Sequence, residues 1–212
     1  MKKKLLSLFL LSSFIFSSCA PATQAPQSEI VKVYATSAAQ PWLTKLYSCA
    51  ADLSVVLNIT ANEPDIYLRV GEPENIISPI YKIDEEEILI VTNRESSIQN
   101  LTLAEAQDLF ALGNPTGSAQ VWIYSSDADV QIAFDQLVMK GRSVTSLAKL
   151  ATSPQQMSDT LNAEKDSVGI LTRHWKTGTV RDVFSAGFVA VLAVTKDEPQ
   201  GVVKELTACL QK

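Results

Sequence analysis

The sequence predicts an α/β fold with largely parallel sheets. Segments with the composition of β-strands alternate with segments that have the apolar spacing of helices, an order typical of α/β layers. Of the 212 residues, 46% are hydrophobic and 19% are charged, as in a folded chain with a buried core. This length suits one globular unit or two small lobes.

The first third of the chain contains three predicted strands and one predicted helix. Branched and aromatic residues mark the strands. The helix has apolar residues on one face and Pro41 near its first turn, where a missing N–H is tolerated. The predicted strands are 30–35, 55–59 and 65–70, and the predicted helix is 42–53.

The remaining two thirds continue the alternation. Thr102 and Glu105 have the spacing of a capping box, and Gly113 ends the helix that they begin. The other predicted helices are 130–140, 153–161 and 201–210, and the predicted strands are 87–92, 119–124, 167–171 and 188–194.

The N-terminus has the layout of a secretory signal. Three lysines precede an apolar run of 12 residues, 5–16, which is too short to span a membrane. The string that ends at Cys19 resembles the lipobox of bacterial lipoproteins, in which cleavage leaves the lipidated cysteine first. The alternative is a plain signal peptide with an incidental cysteine.

Residues 1–18 are therefore predicted to be a signal peptide, and residues 19–29 a lipid anchor and flexible tether. Cleavage before Cys19 removes 18 residues with three lysines, leaving 194 residues and changing the net charge from −5 to −8. An acyl chain on Cys19 would hold the protein at a membrane.

The acidic balance argues against general binding of nucleic acid.

Two further cysteines, Cys49 and Cys209, lie in predicted helices near the two ends of the domain. In an oxidising compartment they form a disulfide if those helices are neighbours; the alternative is two buried free thiols. The single histidine, His174, and the wide cysteine spacing argue against a metal site.

The order of motifs resembles that of type II periplasmic solute-binding proteins, especially their phosphate-binding branch. After an apolar strand, residues 100–113 (NLTLAEAQDLFALG) have the Leu-Thr start, the acidic residue and the Leu-Phe pair found at this place in that family. The strand VWIY, the helix VQIAFDQLV and the strand SVGIL follow in the family's order. The resemblance covers about residues 31–211 and depends on order and spacing.

This resemblance implies a two-lobed fold with a hinge between the lobes. Lobe one would contain residues 30–85 and 185–212, lobe two would contain 94–180, and the chain would cross near 91–94 and 179–183. A ligand would lie in the cleft, bound by N–H groups and hydroxyls at helix amino ends, and the lobes would close around it.

The first two candidate ligand-binding loops follow predicted strands of lobe one. Thr36 and Ser37 occupy a loop that contacts the ligand in the family, and both residues also suit a helix N-cap. Arg69 can form paired hydrogen bonds with an oxyanion, or can lie in solvent at a strand end.

The third candidate loop contains Ser125 and Ser126. Phosphate binders have an arginine near the position of Tyr124 and a Ser-Gly-Thr triplet near residues 128–130. Here two acidic groups lie at the helix start, where they stabilise the helix dipole but would repel a phosphate dianion. The alternatives are a weaker anion, an amphipathic organic ligand, no ligand, or a simple capped helix start.

The fourth candidate loop contains Thr172 and Arg173, at a position that faces the cleft in the family. Arg173 can replace the arginine that is missing at Tyr124, or can belong to a basic surface turn with Lys176.

The prediction is a monomeric, lipid-anchored extracytoplasmic solute-binding protein of an ABC-type uptake system, which passes a small anionic ligand to a membrane permease. The alternative is a surface lipoprotein with a degenerate cleft that acts in sensing or protein contact. An enzyme is not expected, because a Ser–His–Asp mechanism would need His174 and no serine lies in a nucleophile elbow. No catalytic residue, cofactor, metal or nucleic-acid partner is predicted.

Overall fold

Strands and helices alternate along the chain. The computed structural model of the protein describes residues 28–73, 77–113 and 119–212, so the predicted signal peptide, Cys19 and most of the tether lie outside it. The elements are β1 (Ile30–Ala35), a 3-10 turn (Gln40–Trp42), α1 (Leu43–Asp52), β2 (Val56–Ile59), β3 (Ile66–Val70), β4 (Ile80–Thr92), α2 (Leu103–Leu112), β5 (Gln120–Ile123), α3 (Asp129–Phe134), a π turn (Asp135–Met139), β6 (Lys149–Leu150), α4 (Pro154–Ala163), β7 (Ser167–Thr172), a 3-10 turn (Arg173–Trp175), β8 (Arg181–Thr195) and α5 (Gly201–Leu210).

The strands form a mixed sheet in the order β2-β1-β3-β8-β4-β7-β5-β6. At one end β1 pairs in parallel with β2 and β3, and at the other β5 pairs in parallel with β6 and β7. In the centre β8 and β4 run antiparallel to each other and to their outer neighbours. The expectation of largely parallel sheets therefore holds only at the two ends, because two long strands return through the middle.

The long strands β4 and β8 join the two halves of the sheet. β8 pairs with β3 through its last five residues, and β4 pairs with β7 through its last five. Between these regions, residues 85–87 of β4 pair only with residues 188–190 of β8. This two-stranded ribbon is the narrowest connection in the sheet, and it lies several residues from the crossings expected near 91–94 and 179–183. The apolar last five residues of β4 and of β8 are not part of the ribbon, because each set also pairs with a third strand, β7 or β3.

The ribbon separates two lobes. We call β1, β2, β3, α1, α5 and the end of β8 the first lobe, and α2, α3, α4, β5, β6, β7 and the end of β4 the second lobe. In the first lobe β1 alternates exposed and buried side chains, and Val33, Ile66 and Leu68 are fully buried. Leu46 of α1 and Leu206 of α5 cover this core. Burial on one face explains the alternation in β1.

A disulfide between Cys49 of α1 and Cys209 of α5 links two distant segments of the chain within the first lobe. The Cα atoms are 6.0 Å apart, and the residues are separated by 160 positions. The two helices are therefore neighbours, which is the condition on which the sequence-based disulfide hypothesis depended.

Side-chain caps begin two helices of the second lobe, α2 and α4. The Thr102 hydroxyl accepts a hydrogen bond from the Glu105 amide, while the Glu105 carboxylate accepts one from the Thr102 amide at 2.7 Å, so the predicted capping box is present. The Ser153 hydroxyl caps α4 by accepting from the Gln156 amide. Because α3 follows β5 and α4 follows β6, the amino ends of both helices lie at the carboxyl edge of this lobe's parallel strands.

Candidate ligand-binding cleft

A cavity of about 330 Å³ lies between the lobes, at the lower end of the range found for small-molecule sites. The first lobe contributes the loop after β1, and the second lobe contributes the loops after β5 and β6. Loops at the carboxyl ends of parallel strands form the ligand site in many α/β proteins. The lining residues are Ser37, Ala38, Tyr124, Ser125, Ala128, Asp129, Val130, Leu150, Ala151, Thr152, Ser153 and Pro154.

Thr36 and Ser37 lie on the first-lobe side of this cleft. The Thr36 amide donates to the Leu68 carbonyl at 3.0 Å, and the Thr36 hydroxyl accepts from the Ala39 amide at 3.2 Å. The same hydroxyl donates to the Asp129 carboxylate of the second lobe at 2.6 Å. Thr36 therefore contacts the opposite lobe directly, while Ser37 lines the cavity.

Asp129, the first residue of α3, crosses the cleft. Its Oδ2 accepts from the Thr36 hydroxyl and, at 2.9 Å, from the Val70 amide at the end of β3. Its Oδ1 accepts from the Val130 amide at 2.9 Å, and the side chain is only 6% exposed. The sequence indicated a carboxylate at the helix start here. It contained no local signal for the hydrogen bonds from Val70 and Thr36, which lie 59 and 93 positions earlier in the chain.

Tyr124 lies between the cavity and the buried centre of the second lobe. Its hydroxyl donates to the Ile170 carbonyl at 2.9 Å, and the residue is almost completely buried. Burial raises the pKa of Tyr124, and the nearby Asp129 carboxylate raises it further. The side chain at this position of the cleft is therefore a neutral phenol.

The two serines after β5 have different surroundings. Ser125 lines the cavity, and its hydroxyl holds the pKa of the exposed Asp127 below its ordinary value. Ser126 does not line this cavity; it lies with Ser125 in a more open depression that also includes Arg142. The structure thus brings Ser125, but not Ser126, to the interlobe cavity.

The loop from β6 to α4 supplies a wall of the cavity that the sequence analysis missed. Residues 150–154 line the cavity, and the Ala151 amide donates to the Ile123 carbonyl at 2.8 Å. The Thr152 hydroxyl donates to the Gln156 side chain at 2.8 Å. The Ser-Pro start of α4 was a sequence signal for this helix, yet β6 has only two residues and leaves almost no pattern.

Arg69, in β3, is buried and does not line the cavity. It is 8% exposed, and its Nε donates to the Gly71 carbonyl at 3.0 Å, so it is not a solvent-exposed arginine at a strand end. Burial raises the pKa of the neighbouring Tyr67, Arg69 lowers it, and Asp129 raises it. Arg69 and Asp129 therefore both lie near Tyr67.

Arg173 is placed away from the cavity lining. Its Nη2 pairs with Glu87 at 2.7 Å, and its Nη1 pairs with Asp182 at 2.8 Å. The expectation that Arg173 reaches a cleft ligand does not fit this position, because two carboxylates of the crossing strands bind the guanidinium. The Ser185 hydroxyl holds the pKa of Glu87 below its ordinary value against the opposing effect of burial, and Arg173 lowers it further.

Thr172 and the 3-10 turn after β7 contact the first lobe and the ribbon. Thr172 is buried, and its hydroxyl has no hydrogen-bond partner among the described residues. The His174 ring lies 4.6 Å from the Trp42 ring and bonds with Glu86 at 2.6 Å. Trp175 donates to the Ala38 carbonyl at 3.1 Å. This turn connects the lobes rather than lining the cavity.

The described residues show neither a metal-binding cluster nor a membrane-spanning helix. They contain no group of three or more His, Cys, Asp or Glu side chains suited to a metal ion. Within the same ranges, every helix is too short or too polar to cross a lipid bilayer.

The sequence matches no family model, and no curated protein is similar to it. Solved structures are similar in fold. A structure described as a phosphate ABC transporter substrate-binding protein with bound phosphate, from Clostridium perfringens, is 13% identical with a TM-score of 0.75, covering 86% of this chain and 93% of that one. An ABC-type phosphate transport receptor from Vibrio cholerae is also 13% identical, with a TM-score of 0.66 and the same coverages.

A second kind of neighbour is a regulatory domain. The CcmR regulatory domain from Synechocystis PCC6803, in complex with 2-PG, is 12% identical with a TM-score of 0.66, covering 87% of this chain and 96% of that one. These neighbours are substrate-binding proteins and regulatory domains, not enzymes. The chain has the two-lobed α/β fold of type II periplasmic substrate-binding proteins, the fold of phosphate ABC transporter receptors.

Proposed function

We propose that the protein is a solute-binding protein of an ABC-type uptake system and that it captures a small ligand in the cavity between its lobes. One observation carries the proposal: the cavity is lined by loops from both lobes, with Ser37 on one side and Ser125 on the other. A ligand bound to both loops would link lobe closure to its own capture.

The cavity's charge sets the class of ligand. Among the described lining residues, Asp129 carries a negative charge and none carries a positive one. At 4 Å and an effective dielectric constant of 20, two unit charges interact by about 4 kcal/mol, and a dianion would be repelled roughly twice as strongly. We therefore propose a small organic ligand with at most one negative charge, whose acceptor atoms approach the Ser37 and Ser125 hydroxyls.

The cellular setting belongs to the same proposal. The signal-like N-terminus and Cys19 favour an extracytoplasmic, lipid-anchored protein, and an ABC permease would receive the ligand. The protein would act as a monomer, because one chain supplies both walls of the cavity. Replacing Cys19 with serine should release the protein from membranes; continued membrane association would contradict lipidation.

Thermal unfolding of the mature chain tests ligand binding. A ligand at about 100 times its dissociation constant adds about 2.7 kcal/mol to the free energy of unfolding. Small organic monocarboxylates should raise the melting temperature, whereas phosphate, sulfate and molybdate should not. A flat response across this panel would contradict capture of an organic acid, and a response to phosphate alone would contradict the ligand class.

Two neighbouring serines provide a matched pair for this assay. Ser125→Ala removes a hydroxyl that lines the cavity and should weaken binding of any organic acid that raises the melting temperature, by about tenfold. Ser126→Ala removes a hydroxyl outside this cavity and should leave the affinity unchanged. Equal effects of the two substitutions would argue against this cavity as the binding site.

A second candidate function is a surface lipoprotein whose cleft no longer binds solute and which acts in sensing or protein contact. The observation that favours it is the pair of direct hydrogen bonds that Asp129 accepts from Thr36 and Val70, which join the two lobes across the cleft. This candidate predicts no thermal shift across the panel while the protein stays membrane-bound through Cys19.

A further inference from the structure

We infer that Asp129 is a carboxylate of the protein itself that takes up hydrogen-bond donors of both lobes, which a bound anion could otherwise use, and that it holds the two lobes together. Its carboxylate projects from the second lobe and accepts hydrogen bonds from the first. This role goes beyond the proposed function, because it concerns the contact between the lobes and not the captured solute.

The donors around Asp129 come from both sides of the cleft. Thr36 and Val70 lie at the carboxyl ends of the parallel strands β1 and β3, and both donate to Oδ2, at 2.6 Å and 2.9 Å. The Val130 amide donates to Oδ1 at 2.9 Å. A hydroxyl and two backbone amides converge on one carboxylate, an arrangement that also suits a small anionic ligand.

Burial makes these bonds necessary. Asp129 is 6% exposed, and within the described ranges no cationic side chain forms an ion pair with it. A buried carboxylate without a cation depends on its hydrogen-bond donors to offset the loss of hydration. Two of the three donors are in place only when the first-lobe loops lie against α3, so the carboxylate favours closure.

Backbone packing next to Asp129 supports the same closed arrangement. Ala133, one turn further along α3, lies against the loop after β3, where a Cβ built at Gly71 would be 3.5 Å from the Ala133 Cβ. Gly71 has a φ of 75°, a conformation that favours glycine, and its amide donates to the Ala190 carbonyl at 2.8 Å. The loop after β3 is thus bound to β8 of the ribbon while it contacts α3.

Hydrogen exchange of the ligand-free protein tests the inference. Asp129→Asn removes the charge and one acceptor oxygen, so exchange of the Val70 amide should accelerate about tenfold or more. Asp127→Asn, an equal charge change at an exposed neighbour, should leave this amide unchanged. Unchanged exchange at Val70 in a folded Asp129→Asn protein would overturn the inference.

A change on the opposite side of the cleft keeps the test valid if Asp129 variants fold poorly. Thr36→Val removes one donor and preserves the side-chain shape, so it should also accelerate exchange at Val70, whereas Thr36→Ser keeps the hydroxyl and should not. Equal exchange in the valine and serine variants would overturn the inference.

Inorganic phosphate provides a second measurement. Phosphate should not stabilise the wild-type protein, because Asp129 occupies the donors that it would need, whereas Asp129→Ser should become stabilised by millimolar phosphate. Wild-type protein that binds phosphate as tightly as Asp129→Ser would overturn the inference. The exchange measurements need no ligand, so failure of the proposed solute capture would leave their result unaffected.

Discussion

A protein in which Cys49 and Cys209 are both replaced by serine should lose a large part of its stability. The disulfide joins residues that are separated by 160 positions. In the chain-entropy model, a crosslink over a loop of this length destabilises the unfolded chain by about 5 kcal/mol at 25 °C. Natural domains unfold with total free energies of about 5–15 kcal/mol, so the loss should be a third of the total or more.

Urea denaturation followed by tryptophan fluorescence measures this loss. Urea m-values of about 1–3 kcal/mol/M convert 5 kcal/mol into a midpoint shift of roughly 2 M or more. Wild-type protein reduced with a phosphine is the matched control, because it has the same side chains without the crosslink. Cys49 is 2% exposed, so the serine variant also buries a hydroxyl and should be slightly less stable than reduced wild type.

Two results would refute the reasoning. If reduced and oxidised wild type unfold within about 0.5 M urea of each other, loop closure contributes far less than the chain-entropy model gives. If the unreduced mature protein has reactive thiols at Cys49 and Cys209 under denaturing conditions, the bond itself is absent.

Three smaller effects are expected elsewhere. Thr102→Ala removes the capping box of α2 and should cost about 1 kcal/mol in thermal unfolding, and Thr102→Ser should cost little. Gly169→Ala places a Cβ against the sulfur of Met157 in α4 and should lower the free energy of unfolding by roughly 1–3 kcal/mol. An unchanged melting temperature would contradict this packing. The pKa of Glu87 is lowered, so its stabilising contribution is complete above about pH 4.5 and is lost as the pH falls through the folded pKa. Arg173→Ala should therefore cost about 1 kcal/mol at pH 7 and less at pH 3, as urea midpoints would measure; an equal cost at both pH values would contradict the pairing.

Elements with local signals were predictable from the sequence. The strand β1 and the helix α5 have the predicted bounds, because alternation in one and helical apolar spacing in the other extend over the whole element. The capping box of Thr102 and Glu105 was predictable because both of its hydrogen bonds join residues three positions apart.

The first halves of β4 and β8 were missed for a physical reason. Each missed half is an edge strand, because residues 80–84 of β4 and residues 181–187 of β8 pair with one neighbouring strand only, and residues 82–87 of β4 are mostly charged. An edge strand with few buried side chains carries little alternating pattern, so apolar periodicity located the ends that lie between two strands.

The cleft was predicted in part. Ser37 and Ser125 line the cavity because each follows a parallel strand of its own lobe and the carboxyl edges of the two lobes face each other across the cleft, as the resemblance to type II binding proteins implied. The partners of Asp129 and Arg173 depend on contacts between residues as many as 93 and 86 positions apart. Whether Arg173 binds a ligand or two carboxylates depends on which groups lie near it in the folded protein. The sequence next to Arg173 contains no signal for this.

The first lobe is built from two segments that lie far apart in the chain, and this has a consequence for folding during synthesis. A growing polypeptide can assemble β1 and α1 early, but it cannot complete this lobe until α5 and Cys209 have been made. The second lobe is likewise closed late, because β8 must pair along β4. Because both lobes pair with β8, neither lobe can complete its sheet before its part of β8 has been synthesised, and for the first lobe that part ends at Thr195.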